Sequence, residues 1–266
     1  MTTIRLRTLF GKEVLDLLRN RAALLPVALV ALISLVLPFT VAVIVPAMTG
    51  QPLGDDADLV KVSLVAGIHP ELSAGGRIQL FLFQQFLLVF LLMPITGAMA
   101  LAAHAVVGEK QARTLEPLLA TPITTFELLV AKVLGALVPT LMISAAGLAA
   151  YFGCVALLAE PGVVRAMISM RTMLLIALVG PTAALVSLQA AIVISSRVND
   201  ARTAQQFGVL IIIPLTAVFV AQFTGALWLS ATTIGFLGLG LLGVWILLAV
   251  FSVVLFEREA ILTRWR

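Results

Sequence analysis

TAQQFGVLIIIPLTAVFVAQFTGALWLSATTIGFLGLGLLGVWILLAVFSVVLF, residues 203–256, runs for 54 residues without a lysine, arginine, aspartate or glutamate. A helix needs about 20 apolar residues to cross the hydrocarbon layer of a bilayer, so this run is long enough for two crossings and a short turn. A soluble core does not hold an uncharged stretch of that length. The rest of the chain agrees. Its 266 residues are 61% hydrophobic and 11% charged, with mean hydropathy +1.15, whereas an ordinary soluble domain is about 25% charged. The composition defines an all-α polytopic membrane protein.

Working outward, six spans account for the chain, at 24–46, 80–103, 133–158, 172–196, 207–227 and 232–256. They form one transmembrane domain over residues 22–256. With six spans both termini share one side, and the basic residues decide which. Segments 1–21, 104–132, 197–202 and 257–266 hold 13 of the 17 lysines and arginines, and segments 47–79 and 160–172 hold 4. The positive-inside rule places the termini and the 104–132 connector in the cytoplasm and the 47–79 loop outside. Basic residues that flank apolar runs speak for topology and anionic lipid contact, not for a nucleic acid partner.

Arg5, Arg7, Lys12, Arg19 and Arg21 precede the first apolar stretch. That stretch is longer than the roughly 7 to 15 residues of a signal-peptide core, so an uncleaved first span is expected. Before it, Leu6, Phe10, Val14, Leu17 and Leu18 fall at helical spacing, with Arg5, Thr8, Lys12, Asp16 and Arg19 opposite them. Residues 1–21 therefore read as an amphipathic helix lying in the interface. Residues 257–266 form a short cytoplasmic tail.

Chemistry is notable for its absence. The single cysteine, Cys154, excludes an intrachain disulfide. There is no HExxH, no GxSxG and no GxxxxGK[ST] loop, so neither zinc proteolysis, an esterase elbow nor ATP binding by that loop is expected. Asp55, Asp56 and Asp58 lack the spacing of a calcium loop and read as solvated. No charged residue falls within the six spans as drawn. An uncharged interior disfavours a carrier coupled to protons or ions, which must hold its coupling ion in low dielectric, and it points to an apolar or amphiphilic cargo. His104 ends the second span, where packing is the expected role. Gln84, Gln85, Thr96, Ser144, Thr182, Ser187, Gln189 and Gln222 are polar groups that tie helices together or line a path. Pro38, Pro94, Pro139, Pro181 and Pro214 fall one in each of the first five spans and are candidate hinges. Gly235, Gly238, Gly240 and Gly243 are expected to allow close helix packing.

The connector GEKQARTLEPLLATPITTFELLVAK, residues 108–132, holds six of the chain's charged side chains: Glu109, Lys110, Arg113, Glu116, Glu127 and Lys132. Thr114 can cap a short helix whose first turn carries Glu116, and Thr121 followed by Pro122 is a second helix start. Thr124 and Glu127 have capping-box spacing. The expected result is a short helix across the cytoplasmic mouth, with Leu115, Leu118 and Leu119 as knobs that fit a groove on a partner.

This segment, extended to "GEKQARTLEPLLATPITTFELLVAKVLGALVP", resembles the signature of ABC-2 type permeases, the membrane subunits of type V ABC exporters. The amphipathic "IRLRTLFGKEVLDLLRNR", the six-span plan and the terminal "LFEREAILTRWR" resemble the same family, so the likeness covers nearly the whole chain. Where the family often has glycine before Thr-Leu-Glu, this chain has Arg113. The resemblance implies that the connector is a coupling helix docking on a separate ATPase subunit through Glu109, Arg113, Thr114, Leu115, Glu116, Leu118, Leu119, Thr121 and Pro122. It implies that ATP and magnesium sit on that partner and not on this chain, which is not itself an enzyme. It also implies a second permease, identical or related, and a bacterial inner membrane. The competing readings are an ion-coupled carrier that works without an ATPase, and an intramembrane enzyme.

Overall fold

The computed structural model describes residues 21–64, 69–111, 125–197, 206, 213–214 and 216–255. Helix is the only regular structure among them. The first rod is α1 (Arg21–Phe39), a π-helical turn (Thr40–Ile44) and α2 (Val45–Thr49) in unbroken succession. It stops at Gly50, whose φ of 67° suits the left-handed cap that glycine adopts freely, with its N–H donating to the Pro46 carbonyl at 3.0 Å. A surface helix α3 (Ala57–Ser63) follows. Then come α4 (Ala74–Phe90) and α5 (Leu92–Gln111), separated by a turn at Leu91. The long helix α6 (Thr125–Leu158) leads through a short α7 (Val163–Met167) into α8 (Met170–Leu174), a second π-helical turn (Leu175–Val179) and α9 (Gly180–Arg197). A helical stretch at 216–223 precedes α10 (Ala231–Leu255).

Five of these rods are long and apolar enough to cross a membrane: Val27–Thr49, Ala74–Ala102, Val130–Leu158, Met170–Ser195 and Ala231–Ser252. The expected span at 207–227 falls only partly among the described residues, where 216–223 is helical. The amphipathic segment 1–20, the tail 256–266 and most of the coupling segment lie outside them.

The α4–α5 rod is the axis of the bundle. Of its apolar window 89% is buried, against 11% for α10 and 17% for α6. Its aromatic residues reach in several directions. Phe83 and Phe90 meet Tyr151 of α6, and Phe83 also meets Phe39 of α1, with ring centroids 5.2 to 6.1 Å apart. Phe81 and Phe86 pack on Phe219, Phe223 and Trp228. The Tyr151 hydroxyl, fully buried, donates to the Phe83 carbonyl at 2.9 Å, so this polar tip is satisfied. The outer helices turn apolar side chains outward instead: Leu157 is 84% exposed and Phe236 76%. In water such surfaces would drive aggregation; against lipid tails they cost nothing.

Four of the five prolines read as candidate hinges share a local pattern. Thr40, Thr96, Thr140 and Thr182 each follow a proline within two residues, and each hydroxyl donates to the carbonyl four residues back, at 2.7 to 2.9 Å. Proline removes one ladder bond and threonine back-bonding bends a helix slightly. The backbone responds differently at each place. Pro38 and Pro181 adjoin the two π-helical turns, Pro94 follows the break at Leu91, and Pro139 leaves α6 continuous.

Of the glycines read as packing sites, only Gly238 is under pressure. A Cβ there would lie 2.5 Å from the branched carbon of Leu178, whereas Gly240 and Gly243 face open space and Gly235 barely touches Leu174. Gly238→Ala is therefore expected to lower stability by about 1–3 kcal/mol through overpacking, and Gly240→Ala is expected not to lower it at all. Thermal unfolding of the two variants in the same detergent checks the difference.

Candidate functional site

The docking residues inferred from sequence fall largely outside the described residues. Arg113, Thr114, Leu115, Glu116, Leu118, Leu119, Thr121 and Pro122 are among those not described, and Glu109 lies on the last turns of α5. His104 lies on the same helix. What the structure does assemble is a set of polar contacts at the opposite end of the bundle, where α2, α3, α7 and the turn before α10 meet the start of α4.

The first contact joins three rods. Ser73 caps α4, its oxygen accepting from the Gly76 N–H at 2.8 Å. Its hydroxyl also donates to the Glu160 carboxylate. The carboxylate fits over the helix start only because glycines stand there: a Cβ on Gly75 would come within 2.5 Å of Glu160 Oε1, and one on Gly76 within 3.2 Å of Oε2. A negative charge at this end also complements the helix dipole. One turn on, the Gln79 amide donates to the Ala42 carbonyl at 3.3 Å and accepts from the Glu160 N–H at 2.8 Å. Ala42 sits in the π-helical turn, where the ladder is irregular and a carbonyl is open to an outside donor. Between these elements lies an open cleft of about 410 Å³, lined by Pro46, Pro52, Leu53, Gly54, Gln79 and Glu160 among others.

The second contact centres on Arg171 in the first turn of α8, a residue only 8% exposed. Its Nε donates to the Leu229 carbonyl at 3.0 Å, Nη1 to Gln84 Oε1 at 3.1 Å and Nη2 to Gln222 Oε1 at 2.8 Å. The guanidinium lies 4.0 Å from the centre of the Trp228 ring. The fourth candidate span is thereby fixed to α4, to the 216–223 helix and to the turn before α10. Deeper in the bundle, Gln189 of α9 donates to Ser252 of α10 at 2.7 Å.

The 47–79 loop is locally organised. Asp56 caps α3, accepting from the Asp58 and Leu59 N–H groups at 3.0 and 3.1 Å, and Lys61 pairs with Asp58 at 3.5 Å. These acids serve a cap and a surface pair. A hydrogen bond from its own backbone, then His69 Nδ1 at 3.0 Å, holds the Glu71 carboxyl below its ordinary range. No cluster of metal-ligating side chains occurs among the described residues.

The expectation of charge-free spans is corrected. The helices begin earlier than the apolar runs, so Arg77, Lys132 and Arg171 all fall within spanning rods, and Lys132 is only 2% exposed. The sequence rule stops a span at the first charge, whereas the protein buries a charge when partners from other helices meet it. For Arg171 those partners are 51 to 87 residues away in sequence. The available signal was an arginine abutting an apolar run in a chain whose spans also carry glutamines. An arginine keeps its proton at any physiological pH, so this one supplies no proton relay.

An all-helical bundle with apolar outer faces, buried polar ties and five rods of membrane-spanning length defines a polytopic membrane protein. Residues 7–255 match the family described as ABC-2 family transporter protein, and the chain belongs to that family. No curated protein matches the chain.

Gln79 bridges backbone groups of two other elements, which makes it the test of the first contact. Gln79→Leu is expected to lower stability by about 1–3 kcal/mol, since the buried Ala42 carbonyl and the part-buried Glu160 N–H each lose a hydrogen bond. Gln51→Leu, on the exposed loop, is expected to leave the unfolding midpoint in place.

Proposed function

We propose that this chain is the membrane subunit of an ATP-driven exporter of the type V class. Two permeases, identical or related, enclose the path, and separate ATPase subunits carry ATP and magnesium. The observation that carries this reading is the family match over residues 7–255, which takes in the connector between the second and third spans. In this reading the 108–127 segment is the coupling helix, with Glu109, Arg113, Thr114, Leu115, Glu116, Leu118, Leu119, Thr121 and Pro122 at the contact. The leucines contribute most of the binding energy, and Glu109 and Glu116 set partner choice and register. In this reading the membrane is a bacterial inner membrane with the connector and both termini on its cytoplasmic side, an orientation that the bias of lysine and arginine supports.

Closure of the ATPase dimer on ATP would move the coupling segments and, with them, the ends of α5 and α6. Pro38, Pro94, Pro139, Pro181 and Pro214 are the places where the rods would yield. The π-helical turns beside Pro38 and Pro181 and the break before Pro94 support that assignment, because a helix already missing ladder bonds bends there most cheaply. The mechanism is a two-state shift driven by the partner and not chemistry within this chain.

The test is to tag the chain, extract it in mild detergent from its native cells and identify what accompanies it. A stoichiometric ATPase subunit is expected with the wild type and is expected to be lost with Glu116→Arg, which sets a positive charge against a site that receives a negative one. Leu118→Ala is expected to weaken the association without reversing its charge preference. A properly folded chain that emerges alone in every sample would remove the energy source and return the carrier and enzyme readings to consideration.

A further inference from the structure

Arg171 brings a full positive charge into the bundle, and no ion pair neutralises it among the described residues. All three of its acceptors are neutral oxygens. Buried charges are ordinarily paired, because taking an ion out of water costs several kcal/mol. A guanidinium has five N–H groups, and three are used here, one from each nitrogen. One N–H on Nη1 and one on Nη2 are left over. Gln222 adds two more. Its side chain is fully buried, and because arginine only donates, the amide oxygen must face Nη2, which leaves Nε2 beside the guanidinium with no acceptor. Four N–H groups thus surround one uncompensated charge, and what they lack is an anionic acceptor with several oxygens.

The surroundings say what such an anion is attached to. Arg171 lies in the first turn of a rod of membrane-spanning length, and Ile168, Met170 and Met173 around it in the chain are all more than half exposed, so the outer surface at this end of the rod is apolar. Trp228, which covers one face of the guanidinium, belongs to a stretch without regular structure between Gly225 and α10. Turning that ring aside would break its stack on Phe81 but no helical hydrogen bond. We propose that Arg171, Gln222 and Trp228 form a binding site for the anionic headgroup, phosphate or carboxylate, of a membrane amphiphile. The site is complete within one chain and needs no ATPase partner, so its failure and the failure of the exporter reading are separate results.

The test uses the full chain with Trp245→Phe and Trp265→Phe, which leaves Trp228 as the only tryptophan. It is placed in phosphatidylcholine nanodiscs doped with bromine-labelled phosphatidylglycerol or, in parallel, bromine-labelled phosphatidylcholine. The expected result is stronger quenching of Trp228 by the anionic lipid and a higher unfolding midpoint in its presence. Arg171→Gln is expected to abolish both preferences. Gln222→Glu, which supplies the missing carboxylate from within, is expected to abolish them too while raising the midpoint in phosphatidylcholine alone; it also serves if Arg171→Gln does not fold. Reversal of the lipid preference by inorganic phosphate supports the site as one for the phosphate group itself, and resistance to phosphate supports it as one for the whole lipid. Equal quenching by the two lipids in the parent chain, or an anionic preference that survives both variants, overturns the proposal.

Discussion

Inside a bilayer no water is available to a stray N–H or carbonyl, and everything else in this bundle follows from how that requirement is met at α4. This helix sits where lipid does not reach, yet it carries Gln79, Gln84 and Gln85 inward. Gln85 finds no partner among the described residues; the other two are useful because a neighbouring rod offers an acceptor or donor: Ala42 and the Glu160 N–H for Gln79, Arg171 for Gln84. Lipid tails are as apolar as leucine, so the hydrophobic effect does little to pull these helices together. Close packing of aromatic rings and a small number of well-placed hydrogen bonds must do it. That is why the contacts of Gln79, Gln84 and Arg171 reach between rods.

The proline and threonine pairs show the same requirement at the level of one helix. A proline in water would simply expose a carbonyl to solvent; in a span the loss has to be absorbed locally. The threonine hydroxyls do not reach the carbonyl that the proline frees. They bond a neighbouring carbonyl on the same turn, which reshapes the turn instead of repairing it. The result is a set of rods that are helical throughout and yet irregular at fixed points.

Much of the architecture was legible in the sequence because hydrocarbon thickness and apolar run length are the same measurement. Residues 232–256 were read as a span, and α10 runs from Ala231 to Leu255. The starts of α4, α6 and α8 were read too late, at 80, 133 and 172, because a run-length rule treats Arg77, Lys132 and Arg171 as boundaries. Whether a charge is a boundary depends on partners that folding brings in from distant residues, and a single sequence does not display them. The proline positions were plain in the sequence. The π-helical turns beside two of them were not, since nothing in local composition separates Pro38 and Pro181 from Pro139, which sits in a continuous helix. The connector remains a reading of residues 108–132 alone.

Helix α6 has 34 residues, about 50 Å of rod at 1.5 Å per residue, against about 30 Å of hydrocarbon. Tilting takes up part of the surplus, and the rest emerges where charge begins. The apolar stretch of the helix runs from Val130 to Leu158, so residues 125–129, with Glu127 among them, carry the helix about 7.5 Å beyond it, roughly the depth of the headgroup layer. A soluble protein that engages the chain there meets the end of a rigid helix at the lipid surface and need not enter the headgroups.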